Sequence, residues 1–236
     1  SGGNMLSLSC DLRPMRERWL MERRSERYYR LAKKLNYRSR ASFKLLQIDE
    51  RFNVFRDGDT VVDLGAFPGG WLQVAADLTG GKVIGVDLRQ IKPMEGVETI
   101  VGDITHAETM ERLLDMMDGK ADVVLSDMAP NVGGNYATDH ARSIHLCEHA
   151  LAVCDHILRK DGTLVMKFFM GDLADGLRRK TESRFRRVYV TSPDASRPTS
   201  SEMYIIAKGF HADRKPQAPP LKEGGGRRFD IKGDLP

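Results

Sequence analysis

A lysine inside an apolar run needs a reason to be there. Lys167 lies in Leu164-Val165-Met166-Lys167-Phe168-Phe169, near the carboxyl end of a predicted strand. The competing reading has it snorkel from the sheet edge. Two acids stand at comparable edges. Asp127 closes the strand before Met128-Ala129-Pro130-Asn131, and Glu202 opens the last apolar strand after Ser196-Arg197-Pro198-Thr199-Ser200-Ser201. An amine with carboxylates in reach is a set that handles protons.

A second constellation is the loop Asp63-Leu64-Gly65-Ala66-Phe67-Pro68-Gly69-Gly70-Trp71. A phosphate loop of the form Gly-x-x-x-x-Gly-Lys is excluded, because Trp71 stands where the lysine must neutralise phosphate. The dinucleotide pattern Gly-x-Gly-x-x-Gly is excluded too, because Phe67 replaces the glycine that admits a pyrophosphate. The loop carries its own acid, Asp63, instead. Asp87 ends the next strand, placed for ribose hydroxyls, and Asp103 follows the third, placed for the exocyclic amine of an adenine. Acids at successive strand ends suit a ligand with adenine, ribose and a positive centre but no phosphate. S-adenosyl-L-methionine is such a ligand. A third pattern, His145-Leu146-Cys147-Glu148-His149, spells the zinc-hydrolase string His-x-x-Glu-His. It lies within a helix whose Leu146, Ala150, Val153 and Ile157 form a packing stripe, with no independent third ligand. Helix packing and surface histidines are expected there, and no metal.

These groups need a scaffold that brings strand ends to one edge. Apolar, β-branched runs at Thr60–Leu64, Lys82–Asp87, Thr99–Val101, Asp122–Asp127 and Gly162–Phe168 alternate with helical patterns from Trp71, over Glu108–Met117 and over Asp139–Leu158. Arg187–Val190 and Met203–Ala207 read as closing strands, and Ser39 as the N-cap of a helix through Ile48 that carries Arg40 and Lys44. Strand–helix alternation with near-continuous apolar strands predicts an α/β fold, a mostly parallel sheet with helices on both faces.

The chain has 236 residues, of which 41% are hydrophobic and 30% charged, a composition that excludes wholesale disorder and leaves room for one sizeable domain. No run reaches the roughly 20 apolar residues that cross a bilayer. Three cysteines, Cys10, Cys147 and Cys154, make no disulfide framework, so a reduced, cytoplasmic protein is expected. Ser1-Gly2-Gly3-Asn4 before Met5 reads as an expression remnant. The net charge of +4 is uneven: Arg13 to Lys44 holds twelve Lys/Arg against Glu17, Glu22 and Glu26, a segment of +9 on a body of −5. With Trp19, Tyr28, Tyr29 and Tyr37 interleaved, this basic arm suits an RNA partner, through phosphate contact and base stacking. Pro216, Pro219, Pro220 and Gly224-Gly225-Gly226 predict a disordered tail. The expected organisation is an arm over 1–37, a catalytic domain over 38–210 and a tail over 211–236.

In order along the chain, Arg38-Ser39-Arg40-Ala41-Ser42-Phe43-Lys44, Asp63–Trp71, Ser126–Asn131, Lys167 and Ser196-Arg197 through Glu202-Met203-Tyr204 resemble the motifs of the RrmJ/FtsJ-type 2′-O-ribose methyltransferases. The resemblance covers about residues 26–210. It is strongest to archaeal-looking members that act on a uridine of large-subunit ribosomal RNA. It implies a Rossmann-like, S-adenosylmethionine-dependent methyltransferase fold with a seven-stranded sheet. It also implies a catalytic Lys-Asp-Lys-Glu tetrad, Lys44, Asp127, Lys167 and Glu202. Cofactor contacts are implied at Gly69, Trp71, Asp87, Asp103 and Asp127, with Asp63, Gly65, Pro68 and Gly70 completing the loop. Phe67 departs from the small residue the family carries before Pro-Gly-Gly.

In that frame Lys167 acts on a ribose 2′-hydroxyl, Asp127 and Glu202 orient it, and Lys44 positions the substrate, large-subunit ribosomal RNA or a ribosomal particle held by the arm. The protein is expected to act as a monomer. Two other readings stand beside it at this point. One is the same reaction on tRNA, which Tyr28-Tyr29-Arg30-Leu31-Ala32-Lys33 also resembles. The other is a non-catalytic RNA-binding assembly factor with a vestigial pocket.

Overall fold

A computed structural model of the chain describes residues 37–130, 133–193 and 201–211. The chain divides between Asn36 and Tyr37 into two units, and the described residues all belong to the second. The basic arm before Tyr37, Cys10, Asn131, the Ser196–Ser200 part of the last motif and the tail beyond His211 lie outside them.

Seven strands form one sheet: β1 (Val61–Leu64), β2 (Val83–Asp87), β3 (Val97–Val101), β4 (Ala121–Ser126), β5 (Leu158–Phe169), β6 (Phe185–Thr191) and β7 (Glu202–Phe210). Their order across the sheet is β3-β2-β1-β4-β5-β7-β6. β1 to β5 run parallel, and β7 runs against both β5 and β6. The expected α/β class and mostly parallel seven-stranded sheet are what the chain adopts. β1, β2 and the central part of β5 are buried on both faces, which is why they read as unbroken apolar runs.

Among the described residues five helices accompany the sheet: α1 (Ala41–Phe52), α2 (Gly70–Thr79), α3 (Ala107–Met116), α4 (Tyr136–Ile157) and α5 (Ala174–Glu182). The predicted stripe on α4 is buried, and its Leu146, Val153 and Ile157 contribute roughly 1.5–3 kcal/mol each by leaving water. α4 starts where Asn135 Oδ1 accepts from Thr138 N at 3.1 Å. Among the described residues no helix is long and apolar enough to cross a membrane.

Three local expectations need correction. Ser39 is not the N-cap of α1: Arg40 holds that position without a side-chain cap, because Ser39 turns toward the first turn of α2. A Cβ on Gly70 would lie 2.2 Å from Ser39 Oγ and 2.6 Å from Ser42 Oγ, so glycine is what lets α1 approach α2. The second correction concerns α4, which ends at Ile157, with β5 starting at once at Leu158 rather than at Gly162. The third is α5, which was not anticipated. It buries only Leu177 and Thr181, one turn apart, so it has no apolar stripe to read.

Candidate active site

The carboxyl ends of β1, β2, β4 and β5 share an edge, and the candidate side chains gather there. Asp63 is the penultimate residue of β1, fully buried beside Leu125 of β4. The chain then turns at Gly65, whose N–H donates to Val86 O, and Gly69 serves as N-cap of α2. A cavity of about 270 Å³ opens over this loop. Its wall contains Asp63, Gly65, Pro68, Gly70, Trp71 and Asp127 from the expected set, and Ser39, Ala41, Phe67 and Arg89 beyond it.

Asp87 and Asp103 are not in that wall. Asp87 splints the loop to β2: its Oδ2 accepts from Phe67 N and its Oδ1 from Arg89 N, both at 2.9 Å. Each oxygen keeps a lone pair for a further donor. Asp103 Oδ1 accepts from Thr105 N and Thr105 Oγ1, at 2.9 and 2.7 Å. Its Oδ2 is buried without a hydrogen-bond partner among the described residues, 4.0 Å from His106 Nε2. A buried carboxylate oxygen left without a donor is costly unless a ligand supplies one. Arg89 is a residue the sequence reading missed. Its guanidinium sits 3.8 Å from the centroid of the Phe67 ring, so the departure at position 67 builds a cation–π wall that a small residue there would not.

Next to the cavity lie the four expected catalytic side chains. α1 is held in place by Trp71 Nε1, which donates to Ala41 O at 2.8 Å, and by Arg38, whose guanidinium donates to Lys92 O and Pro93 O. Lys44 projects from α1 and ion-pairs with Glu202, the first residue of β7. Glu202 lies opposite Phe169 in the β5–β7 register, and Lys167 lies opposite Tyr204. Lys167 Nζ reaches Asp127 Oδ1 at 2.8 Å and donates to Asp127 O at 3.1 Å. The site thus contains two ion pairs, Lys44–Glu202 and Lys167–Asp127.

The snorkelling reading of Lys167 fails, since the residue is only 7% exposed. Burial alone would lower its pKa, but the adjacent Asp127 charge and hydrogen bond, helped by Glu202, outweigh it and raise the value above the ordinary lysine range. Lys167 is therefore an ammonium at rest. A raised value adds stability that is complete below the unfolded lysine pKa, about 10.4. It is lost only as pH rises through the still higher folded one. Carbon-13 NMR of lysine Cε is expected to show a resonance that titrates above the free-lysine value and is absent in Lys167→Ala. A Lys167 resonance titrating at or below the free-lysine value would contradict the ion pair.

Under these groups Tyr204 is fully buried, its ring 6.0 Å from Trp71 and its hydroxyl without a hydrogen-bond partner among the described residues. Burial first, then the Asp127 and Glu202 charges, raise its pKa, so it stays a neutral phenol. Cys147 donates to Lys167 O at 3.1 Å, its thiol pushed up to about 12 by burial, which makes it a packing group behind the lysine. Among the described residues the zinc-like string forms no group of three side chains that could hold a metal ion. Cys147 points inward, while His145 and His149 meet each other at 3.0 Å on the exposed side. His140 Nδ1 lies 2.9 Å from Phe169 O and its Nε2 accepts from Leu173 N, a backbone staple just after β5.

The FtsJ-like methyltransferase family model matches residues 37–210. A ribosomal RNA large subunit methyltransferase E of Methanococcus aeolicus is 45% identical over 224 residues, covering 93% of this chain and 78% of that protein. Its counterpart in Methanosarcina mazei is 50% identical over 210 residues, covering 89% and 76%. A crystal structure of a ribosomal RNA methyltransferase from Plasmodium falciparum superposes with a TM-score of 0.68 at 28% identity, covering 74% of this chain and 98% of that one.

Proposed function

The chain belongs to the FtsJ-like methyltransferase family, and from that premise we propose that it transfers a methyl group from S-adenosyl-L-methionine to the 2′-oxygen of a uridine ribose in large-subunit ribosomal RNA. One observation carries the reading. Asp127 belongs both to the cavity wall and to the ion pair with Lys167, so a ligand in the cavity and a hydroxyl at Lys167 would meet across a single residue.

The lining suits the donor in type. Carboxylates at Asp63 and Asp127 suit a positive centre, Asp87 retains lone pairs for ribose hydroxyls, and the orphaned Asp103 Oδ2 suits an exocyclic amine. When bound, S-adenosylmethionine supplies an electrophilic methyl group on a sulfonium. The protein's own residues do the rest. The Lys167 ammonium donates a hydrogen bond to the ribose oxygen and aims its lone pair, and Asp127 and Glu202 fix the direction of that ammonium. Lys44, tied to Glu202, closes the site on the side of α1 and faces the substrate backbone. Most of the acceleration then comes from alignment, and the remainder from proton handling once the hydroxyl begins to lose its hydrogen. A further positive charge in the Asp127-lined cavity would push the Lys167 pKa back down, toward a form that accepts that proton.

The test uses methyl-labelled cofactor with intact large ribosomal subunits, deproteinised large-subunit RNA and tRNA, followed by mapping of the modified ribose. Label on a uridine 2′-oxygen of large-subunit RNA is expected; label confined to tRNA, or to a base, overturns the reading. The basic arm is assigned to RNA delivery. Neutralising Arg23, Arg24 and Arg27 together is expected to weaken RNA binding and flatten its salt dependence by about three counterions' worth of slope, with cofactor affinity unmoved. Equal loss of both affinities would place the arm in the cofactor site instead.

A further inference from the structure

The exposed face of α1 continues past the catalytic lysine. Arg40, Lys44, Gln47 and Arg51 follow one another at spacings of four, three and four, so they line one side of the helix. Lys44 meets Glu202 on β7, and two turns later Arg51 Nη1 donates to Thr191 Oγ1 at the end of β6, at 3.2 Å. Thr191 lies opposite Tyr204, and Tyr204 opposite Lys167. The backbone of Thr191, which Arg51 holds, therefore lies about two interstrand spacings, roughly 10 Å, from that of Lys167 along the same sheet edge.

A second cavity, of about 250 Å³, opens at that point, walled by Gln47, Glu50, Arg51, Phe52, Thr191 and Pro193. Its chemistry differs from that of the cofactor cavity. The Arg51 guanidinium lies 5.2 Å from the centroid of the Phe52 ring, and Phe52 lies 5.3 Å from Tyr189 at a 40° tilt. Tyr189 is 38% exposed on edge strand β6, with more ring surface in water than the core requires. A cation, an aromatic ring, an amide and a carboxylate around a base-sized space, with Tyr189 packed against that ring from outside the wall, form a stacking platform with edge donors and acceptors.

We infer that this second cavity is a nucleobase subsite, which takes a base flanking the methylated nucleotide of a single-stranded RNA whose backbone runs along the basic face of α1. The inference rests on the RNA methyltransferase reading for its register with Lys167, and on the cavity's own chemistry for the ligand class. Phe52 supplies the stacking surface, Arg51 and Gln47 reach phosphate or base edge, and Glu50 accepts from a base amine. Such a grip keeps the target ribose at Lys167 while the cofactor loop stays untouched.

Direct binding of a short oligouridine by the full chain tests it without requiring turnover. Phe52→Leu, which keeps an apolar side chain against α1, is expected to weaken RNA binding roughly tenfold, the scale of one lost base stack, and Phe52→Tyr to restore it. Melting temperature and cofactor affinity should not move. Oligouridine carrying 4-thiouridine should crosslink to the 47–52 segment in the parent protein and lose that crosslink in Phe52→Leu. Unchanged RNA affinity in a folded Phe52→Leu protein overturns the subsite. If the parent protein binds oligouridine in a Phe52-dependent way yet methylates no RNA ribose, the subsite stands and the functional reading falls.

Discussion

Lys167→Ala is expected to lower methyl transfer by about 10²–10⁴-fold, the range for a lost proton-handling group, while the protein still folds and binds cofactor. The fold survives because the position lies among apolar neighbours and because Cys147 holds the backbone carbonyl of residue 167 rather than its amine. What changes is electrostatic. Asp127 loses the ammonium at 2.8 Å, while the Lys44–Glu202 pair remains. Lys167→Arg separates charge from proton transfer. A guanidinium cannot give up its proton and is bulkier, so activity within about tenfold of the alanine variant is expected. Single-turnover rates with saturating cofactor and RNA make the comparison. Near-normal turnover in Lys167→Ala would remove the tetrad assignment, and near-normal turnover in Lys167→Arg would leave Lys167 as a source of charge alone.

Gly65→Ala is expected to have the second largest effect, and through the backbone. Gly65 has φ +72°, and a Cβ there would lie 2.7 Å from Met128 Cγ and 3.0 Å from Met128 Cα. The left-handed backbone costs about 1–2 kcal/mol for a residue with a Cβ. The clash adds about 1–3 kcal/mol, because the main chain after Asp127 cannot swing aside as a long side chain would. For a domain of this size the sum corresponds to a fall in melting temperature of roughly 5–15 °C. Relief of the clash would move Met128 and with it Asp127, so cofactor affinity and transfer should fall together. Gly58→Ala is the internal control. Its φ is +82°, but nothing lies within 4 Å of the added carbon, so it carries the strain without the clash. Calorimetry and cofactor titration of both variants decide the matter. Wild-type cofactor affinity in Gly65→Ala would mean that the loop and the β4 end are not mechanically linked.

The parts of this architecture that were legible in the sequence are those governed by local chemistry. Strands buried on both faces write themselves as apolar runs, and acids stand where such runs end, so the place of Asp63, Asp87 and Asp127 at one sheet edge was legible in the sequence. What could not be read depends on distant partners. Lys44 and Glu202 are 158 positions apart; the family resemblance named both, but no local pattern shows that they pair. Arg89 looks like an ordinary loop cation until the chain folds its guanidinium onto Phe67. Ser39 satisfies every local rule for a cap and is diverted by the approach of α2, a tertiary contact that no window of neighbouring residues contains.

The reversed direction of β7 decides which of its residues reaches the edge that holds Asp127. A parallel strand would bring its last residue to the ligand edge; β7 brings its first, Glu202, in register with β5. The connection between β6 and β7 therefore both leaves and re-enters at the mouth of the site, at Ser192 and Ser201, while its anchors belong to ladders zipped from Thr163 to Phe169 and from Phe185 to Thr191. One strand thus carries an acid to the site by its first residue and ties that end down by the two ladders that follow it.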